Sequence, residues 1–171
     1  MTGVDDLLEA FAVVAYGVPA PQGSKRHVGG GRMIEQSKRV APWRTDVKHA
    51  ALAVIDSLPG WRLLDGPLAV AMTFTFPRPK GHWRTGRNAH LLRDAAPARP
   101  AGIPDLSKLA RSTEDALTGV VWADDSRVVE YVRLAKYWAG TSEPDVLAEG
   151  AGAVIRVWQL AATSAQPQET T

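Results

Sequence analysis

Cysteine is absent from this 171-residue chain. Its absence excludes disulfide staples, thiolate zinc sites and a thiol nucleophile, and it fits a reducing compartment. Long hydrophobic runs are missing too: no apolar stretch approaches the roughly 20 residues that cross a bilayer. The opening MTGVDDLLEA is acidic where an export signal would be basic. A cytoplasmic protein with no membrane partner is therefore expected. Histidine is scarce and scattered, with no HxxxH or HExxH spacing, which argues against zinc. No GxSxG marks a serine nucleophile, and no internal repeat is visible.

What is present is an ordinary globular composition with an uneven charge. The chain is 45% hydrophobic and 22% charged, enough for one domain with a sizeable core. Its net charge of +2 conceals two halves. Between Ala20 and Arg99 there are 14 Lys and Arg against 5 Asp and Glu; the remainder has 6 against 13. A basic segment beside an acidic one suits a protein that holds a polyanion and a cation together, although two solvated charge clusters would look the same.

The pattern predicts an α+β fold: a small mixed β-sheet packed with two main helices in a single domain. Residues 1–10 read as a lead-in, 11–160 as the domain and 161–171 as a polar tail. Phe11 to Val18 reads as a strand buried on both faces. Lys25 to Val28 and Arg32 to Gln36 flank Gly29, Gly30 and Gly31 as a small basic hairpin; the triplet lacks phosphate-loop spacing and is taken as a turn. Pro42 to Leu58 reads as a helix with Trp43, Val47, Ala50, Ala51, Val54 and Ile55 on one stripe. Leu68 to Phe76 alternates as a strand, with Leu68, Val70, Met72, Phe74 and Phe76 on the core side.

Residues 77–104 have no periodicity. Their first half interleaves Arg78, Lys80, Arg84 and Arg87 with His82, Trp83 and His90. This is either a nucleic-acid loop with an aromatic for stacking, or a solvated loop whose tryptophan packs back. Asp105 to Thr118 reads as a helix stopped by Gly119. Leu106, Leu109, Ala110, Thr113, Ala116 and Leu117 form its apolar stripe, and Asp105, Lys108, Ser112 and Asp115 line the opposite side. Asp105 also has the position of an N-cap. After Asp124 and Asp125, Val128 to Trp138 reads as a strand, and Gly152 to Leu160 as another, antiparallel to it.

Four aspartates, Asp105, Asp115, Asp124 and Asp125, thus fall on one helix and the turn after it. Adjacent carboxylates repel unless a cation or a basic side chain relieves them. Mg²⁺, which binds through a few carboxylates plus substrate phosphate, fits that pattern, and a salt-bridged turn is the plainer alternative. The matching reaction class is metal-assisted phosphodiester hydrolysis, with Lys108 or Arg111 neutralising charge on the phosphate.

The stretch PDLSKLARSTEDALTGVVWADDSRVVEY, with the upstream GVPAPQGSKR, resembles the RusA-type Holliday junction resolvases, endodeoxyribonucleases of phages and bacteria. The resemblance implies a two-fold homodimer in a bacterial or phage-infected cell, acting on four-way or branched DNA with Mg²⁺, for which Mn²⁺ can substitute. By position it implies Asp105 and Asp125 as metal ligands, with Asp115 and Asp124 in support. Arg111 stands where the family places a catalytic lysine, and Lys108 beside it would contact the scissile phosphate. Lys25, Arg26, Lys38, Arg39, Arg44 and the cations Arg78, Lys80, Arg84 and Arg87 would hold the flanking DNA backbone. Ser107 stands where a second metal aspartate is expected, so Asp115, Asp124 or Glu114 must complete the set, or the site is impaired. An impaired branched-DNA binder and a small-molecule phosphohydrolase are the competing readings.

Overall fold

The computed structural model describes residues 7–23, 25–27, 33–35 and 38–161, with the backbone alone for 25–27 and 33–35. The side chains of Lys25 and Arg26, the glycine turn at 29–31, and the tail from 162 onward lie outside that description. In chain order the elements are β1 (Glu9–Tyr16), β2 (Lys25–His27), β3 (Met33–Glu35), α1 (Val40–Asp56), β4 (Leu68–Phe76), α2 (Leu106–Leu117), β5 (Val128–Trp138) and β6 (Gly152–Gln159). This is the α+β fold the sequence predicts: two helices and a four-stranded mixed sheet in the order β1-β6-β4-β5. The expected small hairpin is present as the antiparallel pair β2 and β3.

β4 is the centre of the core. Leu68, Val70, Met72 and Phe74 are fully buried and meet the apolar stripes of α1 and α2, led by Trp43, Val47, Leu109 and Leu117. The opposite face of β4 carries only Ala69, Ala71, Thr73 and Thr75, and it is buried as well. Ala69 stands between Trp158 and Glu130 on the neighbouring strands, and Ala71 between Arg156 and Arg133. Small side chains let those long ones close over them. The 139–151 connection finishes the cover, with Leu147 N donating to Thr75 Oγ1 at 3.0 Å.

Two expectations change. β1 is buried on one face, not both: Phe11, Val13 and Ala15 are covered, while Val14 and Tyr16 are exposed. It is an edge strand, and its apolar run concealed the ordinary alternation of a half-covered sheet. β6 does run antiparallel to β5, but β4 lies between them, antiparallel to β6 and parallel to β5. The parallel pair needs a crossover, and residues 77–127 supply it through α2. α2 therefore lies across the core face with its two ends near opposite ends of β5, and this arrangement sets out the functional surface.

The 77–104 segment is built rather than loose. Trp83 bridges to Leu92, Arg84 pairs with Asp94, and Arg78 donates to Pro97 O. Arg99 stacks on Tyr137 with its guanidinium 3.7 Å from the ring centre and donates to Lys136 O, tying the segment to β5. Trp83 is half-buried within this scaffold.

Candidate functional site: the two ends of α2

The C-terminal end of α2 is shaped by a buried anchor. Gly119 adopts φ +77°, which glycine reaches without steric cost, and turns the chain after α2. Trp122 then drops into the core with no exposure, its Nε1 donating to Thr118 Oγ1 at 3.1 Å. Leu64 clamps this stretch from both sides, its N–H on Val121 O and its carbonyl taking Ala123 N. The following residues are held at the surface as a result. Asp124 caps the single turn Asp125–Arg127, its Oδ1 accepting from Ser126 N at 2.9 Å. The Ser126 side-chain hydroxyl, followed by this Ser126 N–H, holds its carboxyl below the usual range. Arg127 pairs with Asp65 at 2.6 Å, so its charge is shared between that carboxylate and Asp124.

Glu114 and Asp125 come together at this end. Glu114 is half-buried, and its carboxylate accepts a hydrogen bond from the Tyr131 hydroxyl on β5. Burial pushes the Glu114 carboxyl above its usual value; the Tyr131 bond works against that, while Asp125 and Asp115 add to the rise and Arg111 lowers it. Burial likewise raises the Tyr131 phenol, with Glu114 and Asp125 contributing. Asp125 therefore lies within electrostatic reach of both Glu114 and Tyr131, and the positive charge of Arg111 also acts on Glu114. Asp115 is bound elsewhere: Arg44 Nη2 meets its Oδ2 at 2.5 Å and also donates to Gln22 Oε1.

The N-terminal end is a separate place. Asp105 occupies the N-cap position with extended backbone angles, but its side chain makes no capping hydrogen bond. Its Oδ2 instead pairs with Lys108 Nζ at 3.1 Å. At 1.5 Å per residue, Asp105 and Asp115 stand about 15 Å apart along the helix axis. The four aspartates thus divide: Asp105 at one end of α2, and Asp115, Asp124 and Asp125 around the other. Among the described residues no three acidic or histidine side chains form a ready-made metal cage.

Ser112 does not belong to the polar face assigned to it. It is fully buried, and its hydroxyl donates to Ala20 O at 2.6 Å. Together with the bond from Gln22 N to Lys108 O at 2.9 Å, it fastens the segment after β1 along α2. Of the predicted DNA-contacting cations, Arg44, Arg78 and Arg84 are engaged in the pairs given above. Lys38, Arg39, Lys80 and Arg87 are exposed, and no hydrogen bond or ion pair involves their side chains among the described residues. Sequence reasoning missed Tyr131 and Gln22 altogether. Their partners are 17 and 22 positions away, beyond the reach of any local pattern.

The profile of the endodeoxyribonuclease RusA family matches residues 16–146, from the last residue of β1 to just past the end of β5. That span takes in the crossover through α2 and the acidic, surface-held turn after it. The chain belongs to the RusA endodeoxyribonuclease family. No curated protein matches it. Among the described residues, no helix is long and apolar enough to cross a membrane.

Proposed function

We propose that this protein is a divalent-metal-dependent, structure-selective endonuclease that nicks four-way or branched DNA as a homodimer. The observation that carries the reading is the acidic turn of Asp124 and Asp125 held at the surface next to the Glu114–Tyr131 pair, in a chain of an endodeoxyribonuclease family. The donor chemistry fits Mg²⁺. Carboxylate oxygens are hard ligands, and Mg²⁺ is ordinarily bound through one or two carboxylates with waters and substrate phosphate completing its shell. Asp125 and Glu114 would hold the ion, with Asp124 and Asp115 in support; Glu114 takes the place that Ser107 leaves vacant in the carboxylate set. When bound, such an ion polarises the phosphodiester and makes hydroxide accessible at neutral pH.

The chain's own residues do the rest. Tyr131 orients the Glu114 carboxylate through its hydroxyl. Arg111 offers a planar fork of donors to the scissile phosphate, and Lys108, one turn back, takes a neighbouring phosphate. Asp105, paired with Lys108, sets that lysine's position. Lys38, Arg39, Lys80 and Arg87 hold flanking backbone, and Lys25 and Arg26 are assigned to the same task. Two symmetric nicks need two symmetric sites, which a two-fold dimer supplies. The test is a labelled four-way junction with Mg²⁺. The parent should nick it and Asp125→Asn should not; equal rates would overturn the assignment.

A second reading, a branched-DNA binder without nuclease activity, draws on one feature. Ser107 brings no carboxylate, while Asp105 and Asp115 are already neutralised by Lys108 and Arg44. It would show as tight junction binding with no nicking, and as a gain of Mg²⁺ affinity in Ser107→Asp.

A further inference from the structure

Beside the N-terminal end of α2 lies a cleft whose apolar interior has no part in the proposed hydrolysis, although its rim residues Arg39 and Lys108 belong to the proposed DNA-holding set. It is a cavity of about 440 Å³, within the roughly 300–1,000 Å³ typical of small-ligand sites. Its wall is apolar, formed by Val18, Pro19, Ala20, Phe76, Ile103 and Pro104. A second cavity of about 250 Å³ shares Val18, Phe76, Ile103 and Pro104 and extends the cleft to Lys136 and Trp138. Its polar rim is cationic: Arg39 and Lys108 line the mouth, Lys136 the extension, and Asp105 is the one carboxylate, already paired with Lys108.

The walls are fixed before any ligand arrives. Ser112 Oγ on Ala20 O and Gln22 N on Lys108 O pin one side to α2. Lys136 Nζ donates to Gly102 O at 2.7 Å and to Pro104 O at 2.9 Å, pinning the other to β5. Phe76 continues the core strand β4 into the cleft.

We propose that this cleft receives one unstacked nucleotide of the branched DNA, its base against Phe76 and the prolines and its phosphate on Arg39 and Lys108. The proposal rests on the nuclease reading above and adds a source for its structure selectivity. Charge complementarity selects the occupant. An apolar slot rimmed by three cations suits a flat, aromatic, singly anionic group. Stacking on an aromatic side chain is worth about 1–3 kcal/mol per base and accepts any base. Unpairing a base from an intact duplex costs a few kcal/mol, and least where the base is already unpaired, so the cleft would favour branch points over plain duplex.

The test uses the full-length protein without divalent metal and a four-way junction carrying 2-aminopurine at successive positions around the branch. Junction affinity is followed in parallel by fluorescence anisotropy. The expected result is a several-fold rise in 2-aminopurine emission at one position on binding. Val18→Trp, which fills the cleft from an exposed position, should abolish that rise while the complex still forms. Arg39→Ala should reduce the rise and weaken binding. Should Val18→Trp fold poorly by circular dichroism, Val18→Phe takes its place. Binding with unchanged emission at every position overturns the proposal and leaves the nuclease reading standing. A rise that survives the filling substitution also overturns it. No junction binding by the parent overturns both. If Val18→Trp converts a dimer to a monomer in sedimentation and the parent shows no emission change, the cleft is a subunit contact and the proposal falls.

Discussion

Replacing Thr113 by valine keeps the side chain's shape and deletes its hydroxyl. That oxygen accepts from Trp43 Nε1 at 3.1 Å and donates to Leu109 O at 2.8 Å, and both Thr113 and Trp43 have no exposure. The Leu109 carbonyl retains its helical partner after the change, but the indole N–H is left buried without an acceptor. A buried donor stripped of its partner costs about 1–3 kcal/mol. For a chain of this length each kcal/mol corresponds to roughly 2–4 °C in Tm, so Thr113→Val should melt several degrees below the parent. Urea unfolding followed by far-UV circular dichroism reads the loss directly, with an unchanged slope if the unfolded state is the same. Trp43→Phe, alone and combined with Thr113→Val, completes the cycle. Once the donor is gone, removing the acceptor should cost less, giving a coupling of at least about 0.5 kcal/mol. A single-variant loss below about 0.3 kcal/mol, or a coupling near zero, would refute the assignment. The bond matters beyond stability, because it joins α1 to α2 one residue from Arg44 and two from Asp115.

Other outcomes follow from the same structure. Asp145 is held below the usual carboxylate range chiefly by its two hydrogen bonds from Arg156, at 2.9 and 2.7 Å. A depressed carboxylate adds stability that is present above its unfolded value and lost as pH falls through the lower folded one. Asp145→Asn, which tolerates the φ of +63° found there, should therefore cost roughly 1 kcal/mol at neutral pH after allowance for partial exposure, and its deficit should shrink in acid melts below pH 4. Gly152→Ala should destabilise by about 1–3 kcal/mol, because the added carbon would lie 2.4 Å from the Ala15 carbonyl oxygen in the paired strand; an unchanged Tm would show that the β1–β6 pairing relaxes freely. In Mn²⁺ titrations read by electron paramagnetic resonance, Glu114→Gln and Asp125→Asn should each weaken binding about tenfold or more. Parent-like binding by Glu114→Gln would remove Glu114 from the ligand set.

Local pattern carried the sequence reading a long way, and it failed where structure depends on distant partners. α1, α2, β4 and β5 announce themselves because apolar spacing and Gly or Pro stops are properties of neighbouring residues. The pair Arg44 and Asp115 does not, since 71 positions separate them and nothing nearby records the contact. Ser112 misled for a different reason. Its position fits a polar stripe, yet a hydroxyl is small enough to be buried once Ala20 O offers an acceptor. The aspartates were legible as a group in sequence but not as two groups in space. One helix carries the first at its start and the second near its end, and the turn after it carries the other two. Glu114 was named only as one possible replacement for the missing aspartate; its partner Tyr131 lies 17 positions away on β5, where no local pattern points to it.

The length of α2 acts as a ruler. Asp105, at the rim of the cleft, and Glu114, at the acidic turn, are nine residues apart, which is about 13 Å of helix. Successive phosphates along one stacked DNA strand advance about 3.4 Å, so that span corresponds to roughly four nucleotides. A helix packed along its whole apolar stripe neither stretches nor compresses. A strand held at one end of α2 therefore meets the other at a set offset, whatever bases lie between. Cut positions measured from the branch point would be governed by a count of helical residues, and inserting one full turn into α2 would move them by between one and two nucleotides.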